Sequence, residues 1–232
     1  MSEVKVSAII LAAGSGSRMN SDVTKQRIEI LGKTVLYRSA SAFAECADVD
    51  EIVVVTRPDE LDFVRGELSE VSKVKAIVPG GKTRAESARF GFKAASREAE
   101  FVAIHDAARC LIQPHEVSRV INDAKKYGAA TASAKIFDTV KRIDAEGLII
   151  KTENREELAV AQTPQIFRRD IYEAALDFSD SHGASVTDDN MMVEMLGVKV
   201  YATDIGRENV KITRQEDLGY AEYVVLRREG NG

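Results

Sequence analysis

A short segment near the start of the chain combines small residues, glycines and two cations. Residues 12–16 read Ala-Ala-Gly-Ser-Gly, and Arg18 and Lys25 follow within the next nine positions. Glycine and alanine leave backbone N–H groups open to a ligand, and loop amides that point into one cavity form an anion site. Together with the charges of Arg18 and Lys25, these amides predict a polyphosphate-binding loop.

Two familiar phosphate-binding motifs do not match this loop. A dinucleotide fingerprint requires a third glycine three residues after Gly16, where the chain has Met19. A Walker A loop would need a glycine at Ala76 to precede the Gly-Lys-Thr at residues 81–83. If only the two glycines are considered, an ordinary strand-to-loop turn with two solvated cations is an alternative interpretation of this segment.

Two later segments carry groups that suit a nucleotide. Residues 80–87 read GGKTRAES, and their amides with the Ser87 hydroxyl suit the hydrogen-bonding edge of a base. The alternative, which these residues alone favour, is a tight turn with Thr83 as a helix N-cap. Asp106 suits a metal–phosphate complex or a ribose hydroxyl. A helix-capping Asp106 paired with Arg109 is equally compatible with the sequence.

The remaining polar segments also have structural alternatives. Residues 138–141 and 154–158 suit a solvated β-edge. Residues 187–190 suit either a metal cluster or, preferably, a helix start capped by Thr187. Lys211 suits an exposed edge position.

The composition indicates a single α/β domain of a soluble protein. The chain has 232 residues, 44% hydrophobic and 30% charged, with a net charge of −5. This charge argues against a nucleic-acid or membrane surface as partner. The two cysteines show no metal or disulfide spacing, and no signal peptide or membrane-spanning run is apparent. We therefore expect a cytoplasmic protein.

Strands alternate with helices along most of the chain. Strands are predicted at residues 6–11, 51–56, 74–78, 101–105, 129–136 and 198–203. Helices are predicted at residues 34–47, 58–68, 83–97, 114–127, 168–179 and 188–196, and from about 215. This order predicts a three-layer, Rossmann-like α/β fold, with a mostly parallel sheet between helices on both faces. The candidate residues then follow the first, third and fourth strands, where ligands bind.

One section interrupts the alternation. Residues 138–143 and 148–151 flank a short turn at residues 144–147, which predicts a hairpin. The section is polar and offers few core residues.

The first segment, A-A-G-x-G-x-R-M followed by K-Q, resembles the signature of the 2-C-methyl-D-erythritol 4-phosphate cytidylyltransferase family. Six motifs match in order between Ala8 and roughly Glu222, among them G-G-x-x-R-x-x-S, H-D-A-A-R, Q-T-P-Q and N-x-K-x-T. The chain departs from the family at Thr24 and Cys110, where proline is usual, and at Ala159, where tryptophan is common.

The resemblance implies transfer of CMP from CTP to 2-C-methyl-D-erythritol 4-phosphate in the non-mevalonate isoprenoid pathway. The implied catalytic residues are Arg18, Lys25, Arg155 and Lys211. The implied nucleotide-binding residues are Ala12, Ala13, Gly14, Gly16, Gly81, Arg84, Ser87, Asp106 and Ala107. The implied acceptor-binding residues are Asp106, Arg109, Thr139, Arg155, Thr163 and Lys211. Mg²⁺ or another divalent cation is implied, with Asp106 as the one named ligand.

The resemblance also implies an assembly. Residues 137–160 would form a protruding β-arm that reaches across a homodimer, within a single nucleotidyltransferase domain of residues 1–232. His105 is interpreted as structural, because an ionised phosphate oxygen needs no strong base.

Two rival functions remain open from the sequence. One is cytidylyl transfer to ribitol 5-phosphate or another polyol phosphate. The other is a nucleotide-binding regulatory protein without catalysis, against which the presence of both Arg18 and Lys25 argues.

Overall fold

The computed structural model describes residues 5–14, 24–182 and 186–230, and only the backbone of Lys25. The strands of these ranges are β1 (Val6–Leu11), β2 (Glu29–Ile30), β3 (Lys33–Thr34), β4 (Glu51–Thr56), β5 (Val74–Pro79), β6 (Phe101–Asp106), β7 (Ala129–Lys135), β8 (Lys141–Ile143), β9 (Ile149–Thr152), β10 (Ala159–Arg168) and β11 (Tyr201–Asp204). The α-helices are α1 (Val35–Glu45), α2 (Leu61–Glu67), α3 (Arg84–Ala94), α4 (Pro114–Tyr127), α5 (Arg169–His182), α6 (Asp189–Met195) and α7 (Glu216–Arg228). Within the described ranges, no helix has the length and apolar character needed to cross a membrane.

Seven strands form one central sheet in the order β11-β7-β10-β6-β1-β4-β5. Parallel pairing joins β6, β1, β4 and β5, and also β11 and β7, whereas β10 is antiparallel to both of its neighbours. This arrangement confirms the predicted α/β class with a mostly parallel sheet.

Alternating residues of β1 explain how helices cover both faces of the sheet. Ala8 and Ile10 pack in a cluster with residues of α1, α2 and α4, whereas Ile9 packs with residues of α3, α5 and α6. All three side chains are fully buried, as expected for a strand in the middle of a parallel sheet. A third cluster packs α7 against Ile30, Leu111 and their neighbours.

Helix α4 has its predicted range because both ends depend on local sequence. Pro114 occupies the first turn, where its missing N–H costs nothing. Gln113 and Glu116 form a capping box, and Gly128 ends the helix with φ 84°, a left-handed conformation that favours glycine.

The predicted cap of α6 is wrong by one residue. Asp188, rather than Thr187, occupies the N-cap position and accepts a hydrogen bond from the Met191 amide at 3.0 Å. The Thr187 hydroxyl lies 3.8 Å from the Met191 sulfur instead. The helix itself is confirmed.

Strand β10 is the main element that the sequence prediction missed. It pairs with β6 and β7 in the middle of the sheet, with a register shift between Ala161 and Gln165. The segment contains buried Gln162 and Thr163 and a proline, a residue that is rare in central strands except at irregularities. The predicted insertion at residues 137–160 therefore ends inside the sheet.

The predicted hairpin is present as β8 and β9, which form a separate two-stranded sheet. Its turn is closed by Asp144, whose carboxylate accepts from the amides of Glu146 and Leu148 at 3.0 and 2.9 Å. Every residue of the two strands is exposed. Its role as a dimerisation arm stays a prediction.

Candidate active site

Three loops leave the same edge of the sheet, at the carboxyl ends of β6, β1 and β5, with β4 between the last two strands. The Ala12 and Gly80 amides each donate to a carbonyl in the last two residues of β4, both at 2.7 Å. The Ala107 amide donates to the carbonyl of the last residue of β1 at 3.0 Å. These bonds continue the ladders of the sheet into the loops. The described nucleotide-binding candidates of these three loops therefore lie along one edge.

Gly80 allows the loop after β5 to contact the loop after β1. A Cβ at this position would lie 2.5 Å from the Cβ of Ala13 and 2.9 Å from the hydroxyl of Ser87. That hydroxyl accepts from the Gly81 amide at 3.1 Å and donates to the Thr83 carbonyl at 3.0 Å. Thr83 also caps α3, so the turn proposed as the structural alternative is present.

Gln26 connects the loop after β1 to the 3-10 turn Lys25–Arg27. Its side-chain amide donates to the Ala12 carbonyl and, at 3.3 Å, to the Gly14 carbonyl. The side chain is buried. Because Lys25 opens this turn, the backbone of the predicted catalytic lysine lies beside the glycine loop.

Asp106 ends β6 between two cations. Its Oδ1 lies 3.1 Å from Nε of Arg84, and its Oδ2 accepts from Nζ of Lys211 at 2.7 Å. Burial opposes ionisation, but Arg84 and Lys211 outweigh it and hold the pKa of Asp106 well below its usual range. Asp106 is therefore an anion near neutral pH, and the alternative in which it pairs with Arg109 is wrong.

A second carboxylate lies behind Arg84. Asp189, the first residue of α6, is fully buried. Its Oδ2 accepts from Nη1 of Arg84 and its Oδ1 from the Tyr172 hydroxyl at 2.7 Å. Burial lowers the pKa of Arg84, but Asp189 and Asp106 outweigh it, so the pKa is raised and the guanidinium stays charged. Among the described residues, no group of three or more His, Cys, Asp or Glu side chains is placed to hold a metal ion, so the helix start is the better interpretation of residues 187–190.

His105 is a structural residue, as predicted. Its Nε2 lies 3.3 Å from the Arg109 carbonyl, and its Nδ1 lies 3.1 Å from the Thr163 hydroxyl. A carbonyl only accepts, so Nε2 carries the proton and the Thr163 hydroxyl donates to Nδ1. The same hydroxyl accepts from the Asp106 amide at 3.0 Å. Burial lowers the pKa of His105 to about 3, which keeps it neutral in this chain.

Asn209 fixes the segment that carries Lys211. Its side-chain amide donates to Oε1 of Gln162 at 3.0 Å and to the Thr163 carbonyl at 2.8 Å. The main-chain carbonyl of Asn209 accepts from Nη1 of Arg109 at 2.8 Å. One buried asparagine thus holds both predicted acceptor cations of this edge, Arg109 and Lys211, against β10.

The remaining predicted site residues either fall outside the described residues or make no bond to this assembly. Arg18 and Gly16 lie outside the described residues, and so does the side chain of Lys25. Thr139 and Arg155 are exposed, and the Arg155 guanidinium donates to a main-chain carbonyl of its own segment. In the described parts of the chain, no hydrogen bond or ion pair joins either residue to the Asp106 site.

Four residues that hold the site were not among the predicted site residues. Gln26 and Asn209 lie inside the matched motifs K-Q and N-x-K-x-T, and Asp189 lies within residues 187–190, which were considered as a metal cluster or a helix start, so each had a signal. Tyr172 had none, because a buried tyrosine on a helix looks like an ordinary core residue.

The chain resembles proteins of one enzyme family over almost its whole length. The family model described as 2-C-methyl-D-erythritol 4-phosphate cytidylyltransferase matches residues 6–227. Proteins of that name from Clostridium botulinum (strain Loch Maree / Type A3) and Clostridium perfringens (strain SM101 / Type A) are 40% and 37% identical to it. Each match covers 95% of this chain, and 97% and 99% of the respective relative.

A solved structure shows the same similarity in three dimensions. The crystal structure of 4-diphosphocytidyl-2C-methyl-D-erythritol synthase from Anaerococcus prevotii DSM 20548 has a TM-score of 0.88 and 32% identity. The match covers 97% of this chain and 100% of that one. The chain therefore belongs to the 2-C-methyl-D-erythritol 4-phosphate cytidylyltransferase family.

Proposed function

We propose that this chain transfers CMP from CTP to 2-C-methyl-D-erythritol 4-phosphate, giving 4-diphosphocytidyl-2-C-methyl-D-erythritol and pyrophosphate. The observation that carries the proposal is the convergence of three loops at the carboxyl ends of β1, β5 and β6. Asp106, Arg109 and Lys211 meet at that edge, where open α/β sheets bind ligands. An ionised carboxylate and cations beside glycine loops suit transfer between two phosphates.

The reaction requires positioning and charge neutralisation rather than a strong base. An ionised oxygen of the acceptor phosphate attacks the α-phosphorus of CTP in line. The bond from this phosphorus to the oxygen bridging to the β-phosphate breaks, and the electron pair leaves with pyrophosphate. His105 takes no proton, because both of its ring nitrogens are engaged within the fold.

The predicted catalytic residues have distinct places in this mechanism. We assign Arg18 and Lys25 to the negative charge that develops on the transferring phosphate, and Arg155 and Lys211 to the orientation of the attacking phosphate. Acceptor binding is also assigned to Asp106, Arg109, Thr139 and Thr163. The exposure of about two fifths of the Lys211 side chain leaves its ammonium reachable by a substrate. The nucleotide is assigned to the loops with Ala12, Ala13, Gly14, Gly16, Gly81, Arg84, Ser87, Asp106 and Ala107.

A divalent cation fits the carboxylate at this edge. Mg²⁺ is commonly held by one or two carboxylates together with substrate phosphates, and Asp106 is ionised with further lone pairs on both oxygens. Asp106 would therefore hold the ion, with Lys211 and Arg84 as neighbours. When bound, the cation neutralises charge on the triphosphate.

We further propose a homodimer in which residues 137–160 form the arm. Within the part of the chain that the structure describes, no hydrogen bond or ion pair joins Thr139 or Arg155 to their own chain's Asp106 site, so a second copy could receive them. The arm exposes Leu148, Ile149 and Ile150 to 64%, 64% and 60%. Adjacent exposed apolar side chains of this kind mark an interaction surface. Both cysteines are free and buried, which suits the cytoplasmic location that we propose.

A pyrophosphate-release assay tests the proposed function. The protein is incubated with Mg²⁺, one nucleoside triphosphate (CTP, UTP or ATP) and one acceptor (2-C-methyl-D-erythritol 4-phosphate, ribitol 5-phosphate or erythritol 4-phosphate). We expect release with CTP and the methylerythritol compound to exceed every other pair clearly, because sites that hydrogen-bond a substrate group reject analogues lacking it. Faster release with ribitol 5-phosphate would identify that compound, rather than 2-C-methyl-D-erythritol 4-phosphate, as the acceptor. CTP binding in calorimetry without release would indicate a regulatory protein.

A further inference from the structure

Asp189 is a buried carboxylate that its own helix does not need. Asp188 already caps α6, and an exposed acid would satisfy the helix dipole equally well. Asp189 is instead fully buried, and an ionised carboxylate in that environment is costly unless it is paired and hydrogen-bonded. Both of its oxygens are bonded, one by Arg84 and one by Tyr172. The placement therefore requires an explanation outside α6.

Arg84 is the group through which Asp189 reaches the active site. The guanidinium is a rigid planar fork, and its two sides face two different carboxylates. Nη1 donates to Asp189, and Nε donates to Asp106 at 3.1 Å. Fixing one arm of the fork fixes the direction of the other. The position of Asp189 thus sets the direction from which Arg84 approaches Asp106.

We propose that Asp189, held by Tyr172, is a positioning residue that acts through Arg84 on Asp106. Asp106 then has one oxygen on Arg84 and the other on Lys211, so its carboxylate plane is set before any substrate arrives. This inference rests on the proposed function, because Asp106 is the carboxylate of that site. It also gives Arg84 a role other than contact with the base of the nucleotide.

Two rival explanations make different predictions. In one, Asp189 only balances the charge of Arg84 in the folded protein, so its removal changes stability and leaves turnover alone. In the other, Arg84 affects turnover only through its assigned contact with the nucleotide, so a change at Asp189 does not repair a change at Arg84. A double-mutant cycle separates these explanations from positioning, since only positioning couples the two residues in turnover.

The cycle uses Arg84→Lys, Asp189→Asn and the double variant. Lysine offers one point charge and no fork, so it cannot bridge two carboxylates. We expect its ammonium to pair with the fully buried Asp189 and to leave Asp106 without that partner. We expect kcat for pyrophosphate release to fall at least about tenfold in Arg84→Lys, with the KM for CTP within about threefold. Neutralising Asp189 frees the ammonium for Asp106, so the double variant should recover kcat by at least about threefold.

Two further variants keep the test independent of folding failures. Asp188→Asn makes the same chemical change one residue away, where the carboxylate accepts from the side-chain amides of Gln165 and Asn190 and from the Met191 main-chain amide rather than from Arg84. It should leave kcat within about twofold of wild type. Tyr172→Phe preserves the ring packing and removes one hydrogen bond to Asp189, and we expect it to lower kcat by about threefold. Thermal unfolding of all variants reports their stability separately.

The outcomes are distinct. Recovery of kcat in the double variant, with Asp188→Asn near wild type, supports positioning. Unchanged kcat in Asp189→Asn and Tyr172→Phe with lower thermal stability overturns it in favour of charge balance. A double variant as slow as Arg84→Lys overturns it in favour of nucleotide contact. A wild-type protein that releases no pyrophosphate overturns the proposed function, and the inference with it.

Discussion

Lowering the pH is expected to destabilise the fold through His105. Burial holds the pKa of this imidazole at about 3 in the folded chain, against about 6.5 for an exposed histidine. Between these values the unfolded state binds a proton that the folded state excludes. The contribution of His105 to the free energy of unfolding is therefore complete above pH 6.5 and is lost as the pH falls towards 3.

The size of the effect follows from the two pKa values. At pH 5 the unfolded imidazole is protonated about thirty to one, whereas the folded one remains neutral, which lowers the free energy of unfolding by about 2 kcal/mol. At pH 7.5 the corresponding loss is negligible, because the unfolded imidazole is then mostly neutral too. The depressed pKa of Asp106 acts in another window, because its stabilisation is lost only below the unfolded value of about 3.9.

Urea unfolding followed by circular dichroism at fixed protein concentration measures this loss. The comparison is with His105→Gln, whose neutral amide both donates and accepts but does not titrate. Between pH 7.5 and pH 5, wild type should lose about 2 kcal/mol more than the variant, whatever the absolute stability of the variant. Parallel curves for the two proteins would refute the reasoning and mean that His105 is protonated within the fold.

Three further predictions concern the site and its assembly. Lys25→Ala or Arg18→Ala should lower kcat by at least about 10²-fold with a much smaller effect on CTP affinity, and wild-type turnover in single-turnover assays of both would remove the assigned role. Gly80→Ala should weaken CTP binding in calorimetry by about tenfold or more, because the new methyl group overpacks the two loops. Arg155→Ala and Lys25→Ala proteins should each be nearly inactive alone. After the two are mixed and exchange subunits at random, about a quarter of all sites should carry neither mutation in an isologous dimer, and activity should return to that extent. No recovery after exchange confirmed by mass spectrometry would place the site within one chain.

The parts of the fold that sequence reasoning captured are those with local signals. Strand β4 matches its predicted residues 51–56, and α4 matches residues 114–127, because an apolar run and two helix ends mark them. Strand β10 was missed because it mixes Gln162, Thr163 and a proline into a central position. Its burial depends on partners such as Asn209, which lies 46 residues beyond Thr163, and no local pattern reveals such a bond.

The candidate site shows the same division. The glycine loops and Asp106 stand at strand ends, and Lys211 lies within a matched motif, so their convergence was predictable. The ion pairs of Asp106 were not, since Arg84 and Lys211 come from sequence positions 22 residues before and 105 after it. Tyr172 illustrates the limit, because its hydroxyl matters only through the tertiary position of Asp189.

The exposed hairpin segment has a consequence for how this protein changes over evolutionary time. None of residues 137–158 is buried or belongs to a hydrophobic cluster of the described chain. Substitutions there cost the fold little, as is usual for exposed positions, whereas the edge that carries Asp106 is constrained by buried hydrogen bonds and by Gly80. Because we propose that Thr139 and Arg155 of this segment contact the acceptor, we expect mutational drift here to sample new acceptors, which makes it the natural starting region for a library that alters acceptor choice.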